Sequence, residues 1–101
     1  MISLSNVSDD RMRNAKTGQW WIDNPQRALA NNSACYNEKP DFEVFFNEWK
    51  SLYESKCGER GIFSRYGAKK IIERNGRRDP DHDWGCNPCS EILLRPSGQF
   101  C

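Results

Sequence analysis

At 101 residues the chain has room for one domain at most, and a hydrophobic fraction of 37% leaves little material for a core. Fifteen basic residues against fourteen acidic ones give a formal charge of +1, a balance that recommends neither a nucleic-acid surface nor an acidic tail. Four Trp, three Tyr and five Phe argue against a disordered segment, while no apolar run approaches membrane-spanning length.

The N-terminus lacks a secretory pattern. Five cysteines, an odd number, therefore read as reduced cytoplasmic thiols with catalytic or metal-binding use rather than as a disulfide frame. Ile2 to Ser5 alternates apolar and polar residues, a weak strand pattern. Ser8 to Gly18 reads as a short helix capped by Ser8, with Asp9 and Asp10 near the positive end of the dipole and Gly18 as its stop. Gln19-Trp-Trp-Ile22 is bulky enough to predict packing, and Asp23-Asn-Pro25 breaks it. Arg27 to Tyr36, built of small residues with two adjacent asparagines, fits a strand in a crowded, partly polar interior, with a plain loop as the alternative.

Asp41 to Lys56 carries the clearest periodicity. Phe42, Phe45, Phe46, Trp49, Leu52 and Tyr53 share one helical face, Asp41 is placed to cap, and Gly58 follows as a terminator. Such an aromatic stripe predicts core packing. Gly58 to Ser64 is a glycine-punctuated connection with a short strand at Ile62-Phe63, and it lacks the spacing of a phosphate loop. Ser64 caps a second predicted helix, Arg65 to Asn75, with Ala68, Ile71 and Ile72 as its apolar stripe and Gly76 as its end. Arg77 to Asp83 is a polar loop. The alternation of strands and helices predicts an α/β architecture.

The segment Gly85–Cys101 concentrates the chemistry. If it is extended, Asn87, Cys89 and Glu91 occupy alternate positions and project a carboxamide, a thiol and a carboxylate to one face. Pro96-Ser-Gly98 offers a turn that would bring Gln99 to Cys101 back alongside Glu91 to Arg95. Three readings compete. Cys86 and Cys89 form a CxxC that could hold zinc together with Cys57 and His82. The same pair could be a thiol redox couple, although that chemistry favours a helix N-terminus and Glu91 to Leu94 looks extended. In the third reading Cys89 is a reactive thiol, Glu91 its neighbouring base and Asn87 a hydrogen-bond donor to substrate.

Asn87-Pro88-Cys89-Ser90-Glu91-Ile92 followed by Phe100-Cys101 resembles the active-site finger loop of ribonucleotide reductase large subunits. Gly58 to Arg65, Asn75-Gly-Arg-Arg78, Gly18-Gln-Trp-Trp21 and Arg27 to Ser33 resemble the adenosylcobalamin-dependent (class II) branch. The Asn-Pro-Cys form points the same way, since diiron enzymes more often carry Asn-Leu-Cys. The resemblance covers nearly all of the chain, which is itself a small part of such an enzyme.

The resemblance implies that residues 1–101 are a fragment of a ten-stranded α/β barrel, with residues 85–101 as the finger loop. It implies that Cys89 becomes the thiyl radical that abstracts the ribose 3′-hydrogen. Glu91 would take the 3′-hydroxyl proton, and Asn87 would hold the substrate hydroxyls. Cys101 would be one of two cysteines that reduce the sugar, its partner lying outside this chain. The implied substrate is a ribonucleoside triphosphate, the cofactor adenosylcobalamin held mainly by other parts of the enzyme, and the electron source a thioredoxin-like or other thiol reductant. Cys86 departs from the family, which more often has a non-thiol residue there. Cys35 and Cys57 match no catalytic position and read as small buried residues. The alternative from a different class is a small zinc-binding interaction module using Cys57, His82, Cys86 and Cys89, which stoichiometric zinc in purified protein would favour. A fragment with aromatic faces and few strands should be inert and poorly folded as an isolated monomer. A sharp, cooperative monomer melt with well-dispersed side-chain NMR signals would contradict this expectation.

Overall fold

A computed structural model describes residues 2–56, 60–97 and 99. Strands β1 (Ile2–Ser5), β2 (Asn31–Tyr36) and β3 (Gly61–Ser64) form a parallel sheet with β2 in the centre. Ser33 pairs with Leu4 on one side and Gly61 on the other, and Cys35 pairs with Phe63. Parallel neighbours require crossover connections. The first contains helices α1 (Asp10–Arg13) and α2 (Trp20–Asp23) and a 3-10 turn at Pro25–Leu29; the second is helix α3 (Phe42–Ser55). Helix α4 (Arg65–Asn75) follows β3 directly, and a two-stranded antiparallel hairpin, β4 (Gly85–Cys86) with β5 (Leu93–Leu94), completes the described chain.

Local chemistry explains most boundaries. Asp41 accepts the Val44 N–H at 2.8 Å and Ser64 accepts the Gly67 N–H at 2.9 Å, so α3 and α4 start where capping residues were expected. Gly76, at φ +66°, ends α4 with its N–H on the Ile72 carbonyl at 3.1 Å. The end of α3 differs from expectation: Lys56 itself takes the left-handed conformation, and Gly58 lies outside the described residues. The first helix is also shorter and capped by Asp9, which accepts from Met12 N at 3.1 Å. Ser8 instead turns back on Asn6, donating both its N–H and its hydroxyl to Asn6 Oδ1 at 3.0 Å. Arg27 to Leu29 enters the 3-10 turn instead of the strand, since Pro25 presets helical φ at its start.

Residues 32–36 of β2 are all buried. Alternation along the strand divides the molecule into layers. Cys35 packs with Phe63, Ala68 of α4 and Cys86 of the hairpin, flanked by Leu4 and Leu93. The opposite face carries Asn32, whose amide donates to the Met12 carbonyl of α1, and Tyr36, whose ring lies 6.2 Å from that of Phe45 in α3. Thus α1 and α3 cover one face, while α4 and the hairpin cover the other.

The aromatic stripe of α3 does not form the core of this chain. Phe42, Phe46, Trp49 and Tyr53 stack successively along the outside of the helix at ring separations of 5.7–6.2 Å. The side turned inward carries Glu48, only 1% exposed, whose Oε2 accepts from Arg13 Nη2 at 3.0 Å and whose Oε1 forms an ion pair with Arg60 Nη1 at 3.5 Å without a hydrogen bond. Arg13 also donates to the Val7 carbonyl at 2.6 Å, and Arg60 to Ser5 Oγ at 3.0 Å. Burial pulls the Arg60 pKa below its ordinary value while the Glu48 carboxylate opposes that shift. Trp21 and Ile22, also expected to pack, stand 56% and 63% exposed.

Glu48→Gln keeps the shape but leaves two guanidinium groups without their shared carboxylate. The substitution should cost about 3–5 kcal/mol, the usual penalty for stranding one side of a buried ion pair. Urea denaturation followed by circular dichroism measures it, and an unchanged midpoint would mean that this cluster does not hold α3 to the sheet.

Candidate functional site

The hairpin places its connecting turn at residues 87–92. This differs from the expected extended run through Asn87, Cys89 and Glu91. Pro88, with its preset φ, favours an early turn position, and the Ser90 N–H closes the turn on the Asn87 carbonyl at 2.9 Å. Ser90 has φ +66°, which reverses the chain so that Cys86 pairs with Leu93 and Gly85 with Leu94. The strand that pairs back on Gly85 and Cys86 is therefore Leu93–Leu94. The anticipated return of Phe100 and Cys101 lies outside the described residues. Gln99 does come back to this region, accepting the Arg95 N–H at 2.9 Å and Arg78 Nη2 at 2.9 Å through its side-chain oxygen.

Asn87 organises the turn. It is buried, its side-chain oxygen accepts the Ile92 N–H at 3.0 Å, and its amide nitrogen donates to Glu91 Oε1 at 2.5 Å. The turn, rather than strand alternation, brings Asn87 and Glu91 together. Cys89 stands exposed at the tip between them, and Glu91 is also exposed. A carboxamide has two N–H donors, so after serving Glu91 the Asn87 amide retains one more. The turn thus carries a solvent-facing thiol and, two residues on, a carboxylate held in place by a buried amide.

Three anchors position this turn, and sequence reading did not anticipate them. Asn31 at the start of β2 donates its side-chain amide to the Pro88 carbonyl at 2.9 Å. Trp84, 1% exposed, lies under the Arg78 guanidinium at 4.0 Å, and its carbonyl accepts from Arg65 Nε at 2.8 Å. Arg78 also donates to the Leu93 carbonyl at 3.1 Å, joining the clamp to β5. A tryptophan directly after Asp79-Pro-Asp-His-Asp83 was the available signal: so large an apolar ring in a polar loop needs a cover. Behind the turn, Cys86 Sγ lies 3.6 Å from Ser90 Oγ. Cys35 is buried, and desolvation raises its pKa, with Arg65 opposing.

Of the residues considered for zinc, the described three, His82, Cys86 and Cys89, are not grouped. His82 has its Nε2 3.8 Å from Asp79 Oδ2 and packs edge-on to Trp84. Cys57 lies outside the described residues, and among those described no three His, Cys, Asp or Glu side chains are grouped to hold a metal ion. No helix among the described residues is long and apolar enough to cross a membrane. Compared with family models, curated proteins and solved structures, the chain matches none.

Exposure makes the thiols distinguishable. In native buffer Cys89 should be alkylated at least tenfold faster than Cys35 or Cys86, because local opening must precede modification of a buried group. Peptide mass mapping over a labelling time course reads this. Equal rates that persist without denaturant would mean that the turn does not present Cys89 as described.

Proposed function

We propose that residues 85–101 are the active-site finger loop of a cytoplasmic ribonucleotide reductase of the adenosylcobalamin-dependent branch, and that the chain is part of its ten-stranded α/β barrel. The observation that carries this reading is the turn itself: Cys89 at an exposed tip, flanked by Glu91 with its carboxylate on the buried Asn87 amide at 2.5 Å. The layering is compatible with it. Parallel strands with α1 and α3 on one face and the hairpin on the other fit a barrel slice with those helices outside and the loop inside; α4, which shares the hairpin's face, does not follow that pattern.

In this reading Cys89, as a thiyl radical, takes the 3′-hydrogen of a ribonucleoside triphosphate and gives it back once the sugar has been reduced, which regenerates the thiyl radical. Glu91 accepts the 3′-hydroxyl proton, and the second Asn87 N–H holds the substrate hydroxyls. Cys101 and a cysteine outside this chain supply two electrons and two protons as the 2′-hydroxyl leaves as water. The pair ends as a disulfide, which a thioredoxin-like or other thiol reductant resets. Two clefts, of about 370 and 470 Å³, are both too small for a corrin, and neither is lined by Asn87, Cys89 or Glu91. No described residue is assigned to the cofactor.

In the complete reductase polypeptide, Glu91→Gln should lower turnover by roughly two to four orders of magnitude with a far smaller change in substrate affinity. Cys89→Ser should form no nucleotide product, because a serine O–H bond is too strong to yield a comparable radical. Cys101→Ser should leave the radical step intact and release base from the stranded sugar intermediate. Base release from labelled nucleotide, measured with cofactor and external thiol, separates the two. Base release from Cys89→Ser, or normal turnover by Glu91→Gln, overturns the assignment.

A further inference from the structure

Two adjacent asparagines open β2, and they serve opposite faces of the sheet. Asn32 donates to the Met12 carbonyl on the α1 side, whereas Asn31 shares the face of Cys35 and donates to the Pro88 carbonyl at 2.9 Å. The place of Asn31 is itself well determined: the 3-10 turn Pro25–Leu29 ends two residues before it, and Ile2 pairs with it from β1. Among the described residues, its bond to Pro88 is the one hydrogen bond that ties residues 87–92 to the parallel sheet. The other polar contacts of that segment close within the hairpin. Ser90 N–H meets the Asn87 carbonyl, Asn87 N–H the Ile92 carbonyl, the Asn87 side chain meets Ile92 and Glu91, and Cys86 meets Ser90. These contacts shape the turn without placing it. Arg78, over Trp84 and on the Leu93 carbonyl, holds the base of the hairpin and not its tip.

The carbonyl that Asn31 holds belongs to the peptide plane whose other end is Cys89. That plane is rigid, and the Pro88 ring fixes φ before it. Rotation about the Pro88 ψ is the soft motion left in that residue, and it swings the whole plane. Asn87 to Ser90 is a β-turn with proline in its second position, which suits both type I and type II; the two differ by a reversal of this plane. Cys89 lacks the positive φ that type II requires, so the plane stands as in type I. The Asn31 amide holds it there.

We propose that Asn31 is a positioning residue for the reaction at Cys89. It fixes the Pro88–Cys89 peptide plane, and through it the direction in which the thiol meets the sugar, without touching the substrate. This inference rests on the reductase reading above and gives the central strand a part in it. Hydrogen transfer between carbon and sulfur needs the two atoms in contact, and a misplacement of about 1 Å costs roughly a hundredfold in rate. Asn31 and Pro88 both belong to this chain, so their bond requires no group from the rest of the polypeptide.

The test uses the complete reductase polypeptide with cofactor and external thiol. Asn31→Ala should lower kcat by roughly ten- to a hundredfold and leave KM within about twofold. Asn31→Asp keeps the size but sets a carboxylate against the Pro88 carbonyl, so its loss should be at least as large. With 3′-deuterated substrate the isotope effect on kcat should be larger in Asn31→Ala than in the unaltered protein, because hydrogen abstraction has become the slower step. A merely structural residue would not move that ratio. Alkylation checks the fold: Cys35 and Cys86 should stay as slow as in the unaltered protein. Turnover of Asn31→Ala within twofold of normal overturns the proposal, as does a loss confined to KM, an unchanged isotope effect, or a loss accompanied by fast alkylation of Cys86. Each of these leaves the reductase reading standing if Glu91→Gln and Cys89→Ser behave as expected. Turnover by Cys89→Ser overturns that reading, and the role of Asn31 with it.

Discussion

One buried carboxylate sets the orientation of the rest. Glu48 takes one guanidinium from α1 and another from the residue just before β3, and each of those arginines holds the region that follows or ends β1, through Val7 and Ser5. Four parts of the chain therefore meet at a group that is 1% exposed. Placing a charge there is costly unless it stays paired, so α3 cannot rotate about its axis without stranding Glu48 and Arg60 together. The helix is locked with its charged side inward and its aromatic side outward. In most amphipathic helices hydrophobic burial chooses the inward face; here the cost of separating a buried ion cluster competes with it and wins.

The consequence is an unusual division of labour between the two faces of the sheet. β2 contributes small residues to both, which lets layers approach closely while burying little apolar area. On the hairpin side a compact cluster of Cys35, Phe63, Ala68 and Cys86 serves as the core. On the α3 side the large rings are spent on an outer surface. The turn at Asn87 draws its order from the first group: Asn31 grips Pro88, and Arg65 and Arg78 clamp Trp84. None of these contacts passes through α3. The chemically suggestive turn and the aromatic ladder are thus built on separate supports.

Much of the secondary structure was legible. The extents of α3 and α4 and the caps Asp41, Ser64 and Gly76 follow from periodicity and capping chemistry, both local properties. What was not legible depends on partners distant in sequence. The stripe of α3 predicted an inward aromatic face because periodicity reports that a face is apolar, not which face the fold turns in; Arg13 and Arg60 decide that from 35 residues before Glu48 and from beyond the helix end. The Asn87, Cys89 and Glu91 grouping was found by assuming an extended strand, whereas Pro88 and a left-handed Ser90 bend it into a turn that brings Asn87 and Glu91 together by another route. Asn31 left no local trace, since it acts on a backbone carbonyl contributed by another element, whereas Arg78 was signalled only through the large Trp84 ring that it covers.

The cost of the inward Glu48 also bears on why an aromatic ladder would remain exposed. A chain of this size gains most from apolar burial, and turning the aromatic side of α3 onto the sheet would supply it. That side, however, would have to enter against β2, whose outward-facing neighbours in this layer are Asn32 and Tyr36, and would expel a carboxylate already matched to two guanidiniums. The exchange loses ionic order, which fixes where α1, β1 and β3 sit, to gain area that fixes nothing in particular. Outward placement keeps the geometry of the sheet and leaves the apolar area of the ladder exposed. The fold thus separates the interaction that specifies its arrangement from the surface available to stabilise it.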